Sequence, residues 1–261
     1  MSAEFLKTID WSRPWLAHVR EIGEAIASSA DWRAELNRYA VQRGLCNHRN
    51  LPLRFIPQAE LPPGVAYEAH ISQTGGVPTR DNLHDFFNAL VWLTFPRIKA
   101  QLNALQAKEI ERSAAKNPDA PRGKVRDAAT IFDENAVLLV TSDQELVAAL
   151  RSHEWLDTFH VRRDEFNRRC SIFLFGHALM EKLVSPYKAI TGHIWVVSIE
   201  IVEGVVSDQC ALLDAQVSDQ LQSGLTTKDF SPLPILGVPD WCELQDEIFY
   251  GDAMVFRPKR I

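Results

Sequence analysis

A histidine beside a carboxylate is the first feature of this sequence that could support catalysis. His84 is followed by Asp85, and the helical pattern of DNLHDFFNALVWL places Asn88 and Trp92 on the same face as His84. A histidine with a neighbouring acid can act as a general base, and the same side chains can bind a divalent metal ion. The alternative is structural, because Asp81 and Asp85 near a helix start also stabilise the helix itself. We predict that His84 and Asp85 are catalytic and that Asn88 and Trp92 contact the ligand.

Three cations near this segment are suited to binding an anion. Arg80 precedes His84, and Lys99 continues the His84 face if Pro96 only kinks the helix. Arg126 belongs to a basic RGKVR segment that a phosphate or a carboxylate could neutralise. Charged runs usually form solvated surfaces, and the P-loop pattern GxxxxGK[ST] is absent. The sequence predicts a small anionic ligand bound by Arg80, Lys99 or Arg126.

A second histidine–acid pair lies where a predicted buried strand, CSIFLF, turns into a helix at Gly176. His177 and Glu181 share one face of that helix, and such strand-to-helix turns are common ligand sites. His193 begins the next predicted strand and is the third histidine that the topology could bring close. We expect His177 to approach His84 in one pocket, with His177 and Glu181 as further catalytic residues. If a divalent metal ion is the cofactor, the predicted ligands are His84, Asp85, His177 and His193.

Two adjacent carboxylates, Asp133 and Glu134, are predicted to serve only as turn residues. Together with Asn135 they separate two apolar runs in AATIFDENAVLLVT, a pattern typical of a β-hairpin. The four cysteines occur singly, without the CxxC spacing of zinc ribbons, and are predicted to be free thiols. The motifs GxSxG and GxGxxG are also absent, so serine-hydrolase and dinucleotide-dependent chemistry gain no support.

The elements that must position these side chains alternate between helices and strands without a regular repeat. Two helices are predicted near the N-terminus, the second capped by Asp31, whereas LRFI and YEAHI are predicted to be extended. A capping box of Ser142 and Glu145 opens a further helix. The run GHIWVVSIEIV predicts a central buried strand over 193–200, joined to CSIFLF by a parallel crossover. The expected fold is α+β, or irregular α/β, in a single domain of residues 1–261 with a small mixed sheet and proline-rich covering segments.

Long blocks of the sequence resemble a known family. The chain is similar to bacterial domain-of-unknown-function family 3025 in the segments VPTRDNLHDFFNALVWLTFPRIKAQLN, RGKVRDAATIFDEN, FGHALMEKL, PYKAITGH and PLPILGVPDW. This resemblance extends roughly from the first helices to the end of the chain, and it implies a single bacterial domain. It implies no reaction, so the chemistry has to be inferred from the residues.

Composition narrows the classes of function. The 261 residues are 46% hydrophobic and 24% charged with a net charge of -6, which is typical of a folded globular protein and opposes general nucleic-acid binding. No apolar run reaches the roughly 18 residues of a membrane span, and no secretory leader is recognisable, so the expected location is the cytoplasm. We predict a hydrolase that uses a divalent metal or a histidine–carboxylate couple on a small anionic substrate. The alternative is a non-catalytic module that binds a small molecule or a protein.

Overall fold

The computed structural model describes residues 3–116, 123–200 and 204–259 of the chain. Its helices surround two small sheets, so the fold is α+β, as the sequence predicted. The α-helices are α1 (Arg20–Ala27), α2 (Trp32–Gln42), α3 (Tyr67–Thr74), α4 (Leu83–Thr94), α5 (Pro96–Lys116), α6 (Lys124–Asn135), α7 (Gln144–Arg151), α8 (Arg163–Arg169), α9 (His177–Lys182), α10 (Val206–Gln222) and α11 (Glu247–Tyr250). The strands are β1 (Arg54–Pro57), β2 (Gly76–Thr79), β3 (Ala136–Val140), β4 (Ser171–Leu174), β5 (Thr191–Val197) and β6 (Ser231–Pro234).

The larger sheet of the described residues has the strand order β4-β3-β5-β6. β3 pairs in parallel with β5 and antiparallel with β4, while β5 pairs antiparallel with β6. All five residues of β3, AVLLV, are buried, as expected of an inner strand covered on both faces. The predicted inner strand is confirmed as β5, although β5 ends at Val197 and not at residue 200. Residues 201 and 202 of the same apolar run lie outside the described residues.

The predicted parallel crossover between CSIFLF and GHIWVVSIEIV is wrong. CSIFLF contains β4, and β4 is separated from β5 by β3, to which β4 runs antiparallel. The parallel neighbour of β5 is β3, a strand that precedes both in the chain. Local sequence pattern identifies each strand, but it does not show that β3 lies between β4 and β5 in the sheet.

The predicted hairpin turn is also wrong. Asp133, Glu134 and Asn135 form the last turn of the helix α6, and β3 begins at Ala136 without an intervening loop. Three apolar positions at helical spacing explain why the helix continues this far: Ala128, Ala129 and Phe132 are all fully buried. Burial of this face outweighs the preference of Asp and Asn for turns.

Several local predictions need smaller corrections. YEAHI is helical, because it belongs to α3, which ends at Gly75 with a φ of 72° that glycine adopts without strain. Asn82, and not Asp81, caps α4 by accepting the backbone N–H of residue 85. Likewise Asp143, not Ser142, caps α7. The predicted cap of α2 is confirmed, since Asp31 accepts the backbone N–H of residue 34.

Pro96 begins a new helix and does not merely kink an existing one. α4 ends at Thr94, and α5 starts at Pro96, where a missing N–H is tolerated. The next two backbone N–H groups of α5 donate to both carboxylate oxygens of Asp214, at 3.0 and 2.9 Å. Because Asp214 belongs to α10, this contact ties the start of α5 to a helix far away in the chain.

The buried apolar side chains form a core to which distant parts of the chain contribute. This core includes Leu6 near the N-terminus, Leu138 of β3 and Phe256 near the C-terminus. No helix among the described residues combines the length and the apolar character needed to cross a bilayer. The organisation as a single domain stays a prediction, which limited proteolysis can test.

Candidate metal centre

A cavity of about 450 Å³ lies where α3, α4, α5, α6 and α9 meet. Its size is in the range of small-molecule sites. Its lining includes six residues that the sequence analysis selected: Arg80, His84, Asp85, Asn88, Arg126 and His177. It also includes Asp133 and Glu134, for which the sequence predicts a turn. The cavity therefore brings together side chains from segments that are far apart in sequence.

His84 of α4 and His177 of α9 meet at this cavity, as the sequence predicted. Their Nε2 atoms lie 3.0 Å apart, and the ring planes are nearly perpendicular, at 78°. His177 is the first residue of α9, and α9 packs directly against α4. The predicted approach of the two histidines is confirmed.

Glu181 fixes the orientation of the His84 ring. Its Oε2 atom lies 2.9 Å from Nδ1 of His84, and a carboxylate accepts at this distance, so Nδ1 carries the proton. In the neutral ring Nε2 of His84 then holds a lone pair, which is directed toward His177. A carboxylate that orients a histidine through its second nitrogen is the usual outer partner of a metal-binding histidine.

Glu134 completes a group of three side chains that could hold a metal ion. Its Oε2 atom lies 3.8 Å from Nε2 of His177. One ligand atom each of His84, Glu134 and His177 lies within 4.8 Å of the other two. Nitrogen and oxygen ligands about 2.0–2.2 Å from a zinc ion lie roughly 3–3.5 Å from one another. Two of the observed separations, 3.0 Å between the histidine nitrogens and 3.8 Å from Glu134 to His177, are close to this spacing.

The electrostatics of the cluster favour a neutral ring and a bound cation. Burial lowers the pKa of His177 to about 3, despite the opposing charge of Asp133. The neutral ring is the form that binds metal ions. Burial and the neighbouring Asp133 raise the pKa of Glu134, because two carboxylates repel each other at short range. A divalent cation beside Glu134 would offset that repulsion.

A buried ion pair lies behind the histidines. Nζ of Lys99 lies 2.5 Å from Oδ1 of Asp133, and the two residues are only 4% and 8% exposed. Burial opposes ionisation of Asp133, but the charge and the hydrogen bond of Lys99 oppose this effect, and the pKa of Asp133 is lowered. The second oxygen of Asp133 lies 3.8 Å from Nδ1 of His177, which has no hydrogen-bond partner among the described residues. Asp133 therefore faces the nitrogen that carries the proton when Nε2 binds a metal.

Two residues of the predicted ligand face lie behind the cavity wall. The ammonium group of Lys99 is bound to Asp133 and Asn88 and lies 5.4 Å from the centre of the Trp92 ring. Trp92 is part of the core, with 1% of its surface exposed. Neither Lys99 nor Trp92 is among the lining residues, so the structure directs both toward protein partners.

Two other predicted metal ligands, Asp85 and His193, do not belong to this group of three side chains. Both oxygens of Asp85 accept hydrogen bonds from the Arg80 guanidinium, at 2.9 and 3.0 Å, so Asp85 faces a cation already. This partner raises the pKa of Arg80 further. His193 lies on β5, where its ring contacts Phe230, and it is not among the residues that line the cavity.

Tyr67, Asp133 and Glu134 are among the lining residues that the sequence analysis does not select. The two carboxylates are not selected because the sequence analysis predicts that they form a hairpin turn. The spacing of the apolar residues within AATIFDEN instead favours a helix. Tyr67 is not selected because YEAHI, a short segment followed by two glycines, is predicted to be extended. The first of these glycines ends a helix, which is a position that glycine strongly favours.

Gly176 allows the start of α9 to approach the end of α6. A Cβ atom at this position would lie 2.5 Å from Cα of Asn135 and 2.6 Å from the carbonyl oxygen of Glu134. The backbone N–H of Gly176 also donates to the carbonyl of Ala136, at 2.9 Å. Because the two backbones touch here, His177 and Glu134 reach the same corner of the cavity.

Gly176→Ala is expected to destabilise the fold by about 1–3 kcal/mol, since backbone atoms cannot move aside as a flexible side chain does. The measurement is the free energy of unfolding in urea. Gly123→Ala is the matched control, because its added Cβ would meet only the side-chain oxygen of Glu109, at 3.4 Å. Equal unfolding free energies for the two variants would contradict the close approach at Gly176.

Comparison with protein families gives one match. The family model described as "Protein of unknown function (DUF3025)" matches residues 53–260. The chain belongs to this family. All the side chains discussed at the cavity lie within the DUF3025 match, whereas α1 and α2 precede it. No curated protein and no solved structure matches the chain.

Proposed function

We propose that this DUF3025 protein binds a divalent metal ion through His84, Glu134 and His177 and hydrolyses a small anionic substrate. The observation that carries the proposal is the convergence of two histidine Nε2 atoms, 3.0 Å apart, at the wall of a cavity. Two neutral rings that face each other in this way share one hydrogen, whereas a metal ion accepts a lone pair from each. Nitrogen ligands of zinc lie roughly 3.0–3.4 Å apart, which agrees with the observed spacing.

Three protein ligands would leave a coordination position for water, as in catalytic zinc sites. A bound divalent ion lowers the pKa of such a water and polarises the bond under attack. The oxygen of that water would form the new bond to carbon or phosphorus, and the bond to the leaving group would break. One hydrogen of the water stays with the product acid, and the other goes to the leaving group.

Two guanidinium groups support an anionic substrate. Arg80 and Arg126 both line the cavity. Both side chains are positively charged, as a bound divalent ion would be. Arg80 is held in place by Asp85, so its position is fixed before a ligand arrives. Lys99 contributes from behind, by keeping Asp133 ionised beside the His177 ring.

The test is the metal content of the purified full chain, followed by titration with Zn²⁺, Mn²⁺ and Mg²⁺. We expect about one ion per chain, and we expect hydrolysis of a phosphomonoester or carboxylate-ester panel to stop on chelation and to return with the ion. Failure of all three ions to bind in the micromolar range would contradict the proposal. Metal binding without turnover of any ester would instead favour a non-catalytic binding module.

A further inference from the structure

Tyr67 lies at the cavity wall, at the end of a chain of hydrogen bonds that begins at Lys99. Nζ of Lys99 donates to Oδ1 of Asn88 at 2.8 Å, and Nδ2 of Asn88 donates to the hydroxyl oxygen of Tyr67 at 2.9 Å. An ammonium group can only donate, so Asn88 must present its oxygen to Lys99 and its NH₂ group to Tyr67. The Lys99 ammonium group therefore determines the orientation of the Asn88 amide.

This orientation determines what Tyr67 can do. Because Nδ2 of Asn88 donates, the phenolic oxygen of Tyr67 accepts, and its own hydrogen must be directed elsewhere. In the part of the chain that the structure describes, Tyr67 has no acceptor for that hydrogen, and Tyr67 lines the cavity. Burial raises the pKa of Tyr67 well above its ordinary value, so the hydroxyl keeps its hydrogen.

A second donor, Arg126, lines the same cavity. Arg126 has a buried Nε group without a hydrogen-bond partner among the described residues. The neighbouring carboxylate of Glu68 is already bound to the side-chain amide of Asn103, at 2.6 Å. Burial also raises the pKa of Glu68, although Lys99 opposes this shift. A buried donor without a partner is costly, and a ligand with several acceptor oxygens would satisfy Tyr67 and Arg126 together.

We propose that Tyr67 and Arg126 form an oxyanion subsite, in which the Tyr67 hydroxyl donates a hydrogen bond to a phosphate or carboxylate oxygen of the substrate. This deepens the proposed hydrolase function and rests on it for the reaction, but the subsite itself is built from residues that bind no metal. Tyr67 is thereby a residue that determines specificity for the anionic group. A hydrogen bond from Asn88 orients the Tyr67 hydroxyl, and a hydrogen bond from Lys99 orients Asn88.

The test is calorimetric titration of the full chain with inorganic phosphate and, separately, with acetate, both with and without the divalent ion. We expect Tyr67→Phe to weaken binding of the preferred anion by at least about tenfold, because it removes a hydrogen bond to a charged group. Metal affinity should stay unchanged. Tyr187→Phe is the matched control, since Tyr187 is 56% exposed and does not line the cavity.

Asn88→Asp tests how Tyr67 is oriented. This change replaces the donor facing Tyr67 by an acceptor, so the phenolic hydrogen should turn away from the cavity. Added charge alone also repels an anion, so the change is compared in the wild-type and Tyr67→Phe backgrounds. We expect a larger loss of anion affinity in the wild-type background, and equal losses would contradict the orientation.

The outcomes separate the two proposals. Tyr67-dependent binding of phosphate or acetate to a chain that binds no metal would support the subsite and overturn the metal-dependent reaction. Equal affinities of wild type and Tyr67→Phe, or no binding of either anion at about 10 mM, would overturn the subsite even if the metal binds. The stronger of the two anions identifies the chemical class of the substrate.

Discussion

His177→Ala is expected to weaken binding of the divalent ion by more than about 100-fold. Loss of a residue that only orients a ligand already costs 10- to 100-fold in affinity, and His177 would be a ligand itself. The measurement is competition with a chromogenic chelator, using the purified full chain. His84→Ala should have the same effect, whereas Glu181→Gln should give the smaller loss of an outer partner, because the Glu181 carboxylate binds Nδ1 of His84 and not the Nε2 atom that would bind the ion.

His193→Ala is the matched control for His177→Ala. It removes a half-buried histidine of β5, whose ring lies against Phe230 and which is not among the residues that line the cavity. Metal affinity should therefore remain at the wild-type value. Wild-type affinity in both His84→Ala and His177→Ala would contradict the metal centre.

Lys99→Met is expected to destabilise the fold by about 3–5 kcal/mol. It leaves the Asp133 carboxylate buried without its cation, and removal of one partner from a buried ion pair has an effect of this size. It also leaves the oxygen of Asn88 without its donor. The measurement is the free energy of unfolding in urea, at a pH where wild type unfolds reversibly.

Lys188→Met provides the comparison, because Lys188 pairs with Asp252 at 2.8 Å while both side chains remain about one-third exposed. Such a pair contributes roughly 0–1 kcal/mol, so little change is expected. Combining Lys99→Met with Asp133→Asn should restore part of the lost stability, since no uncompensated charge then remains buried. A loss below about 1 kcal/mol for Lys99→Met alone would show that Asp133 is stabilised by other groups.

The helical part of the site was predictable because its signals are local. Spacing along DNLHDFFNALVWL places His84 and Asn88 on one face, and the strand-to-helix turn at Gly176 predicts that His177 lies at a ligand site. Both histidines do reach the cavity. These inferences depend only on residues a few positions apart, where helical geometry determines which side chains are neighbours.

The rest depends on contacts that local pattern does not contain. Glu134 looks like a turn residue in sequence, and it becomes part of the site only because Phe132 and the alanines before it pack α6 into the core. Similarly, β3 lies between β4 and β5, which no feature of those two strands requires. Lys99 was expected to face a ligand, but the buried carboxylate of Asp133, whose helix was not predicted, is what binds it.

The direct junction between α6 and β3 determines how stiff the site is. Asp133 and Glu134 occupy the last turn of α6, and Ala136, two residues after Glu134, is already paired with β5 in the sheet. Fixing a backbone residue costs about 1–2 kcal/mol in conformational entropy, and here that loss occurs during folding. Binding of an ion or a substrate then needs to order only side-chain torsions. The same rigidity restricts the choice of ligand, because the carboxylates cannot be carried outward on a loop to surround a larger ion or a bulkier anionic group.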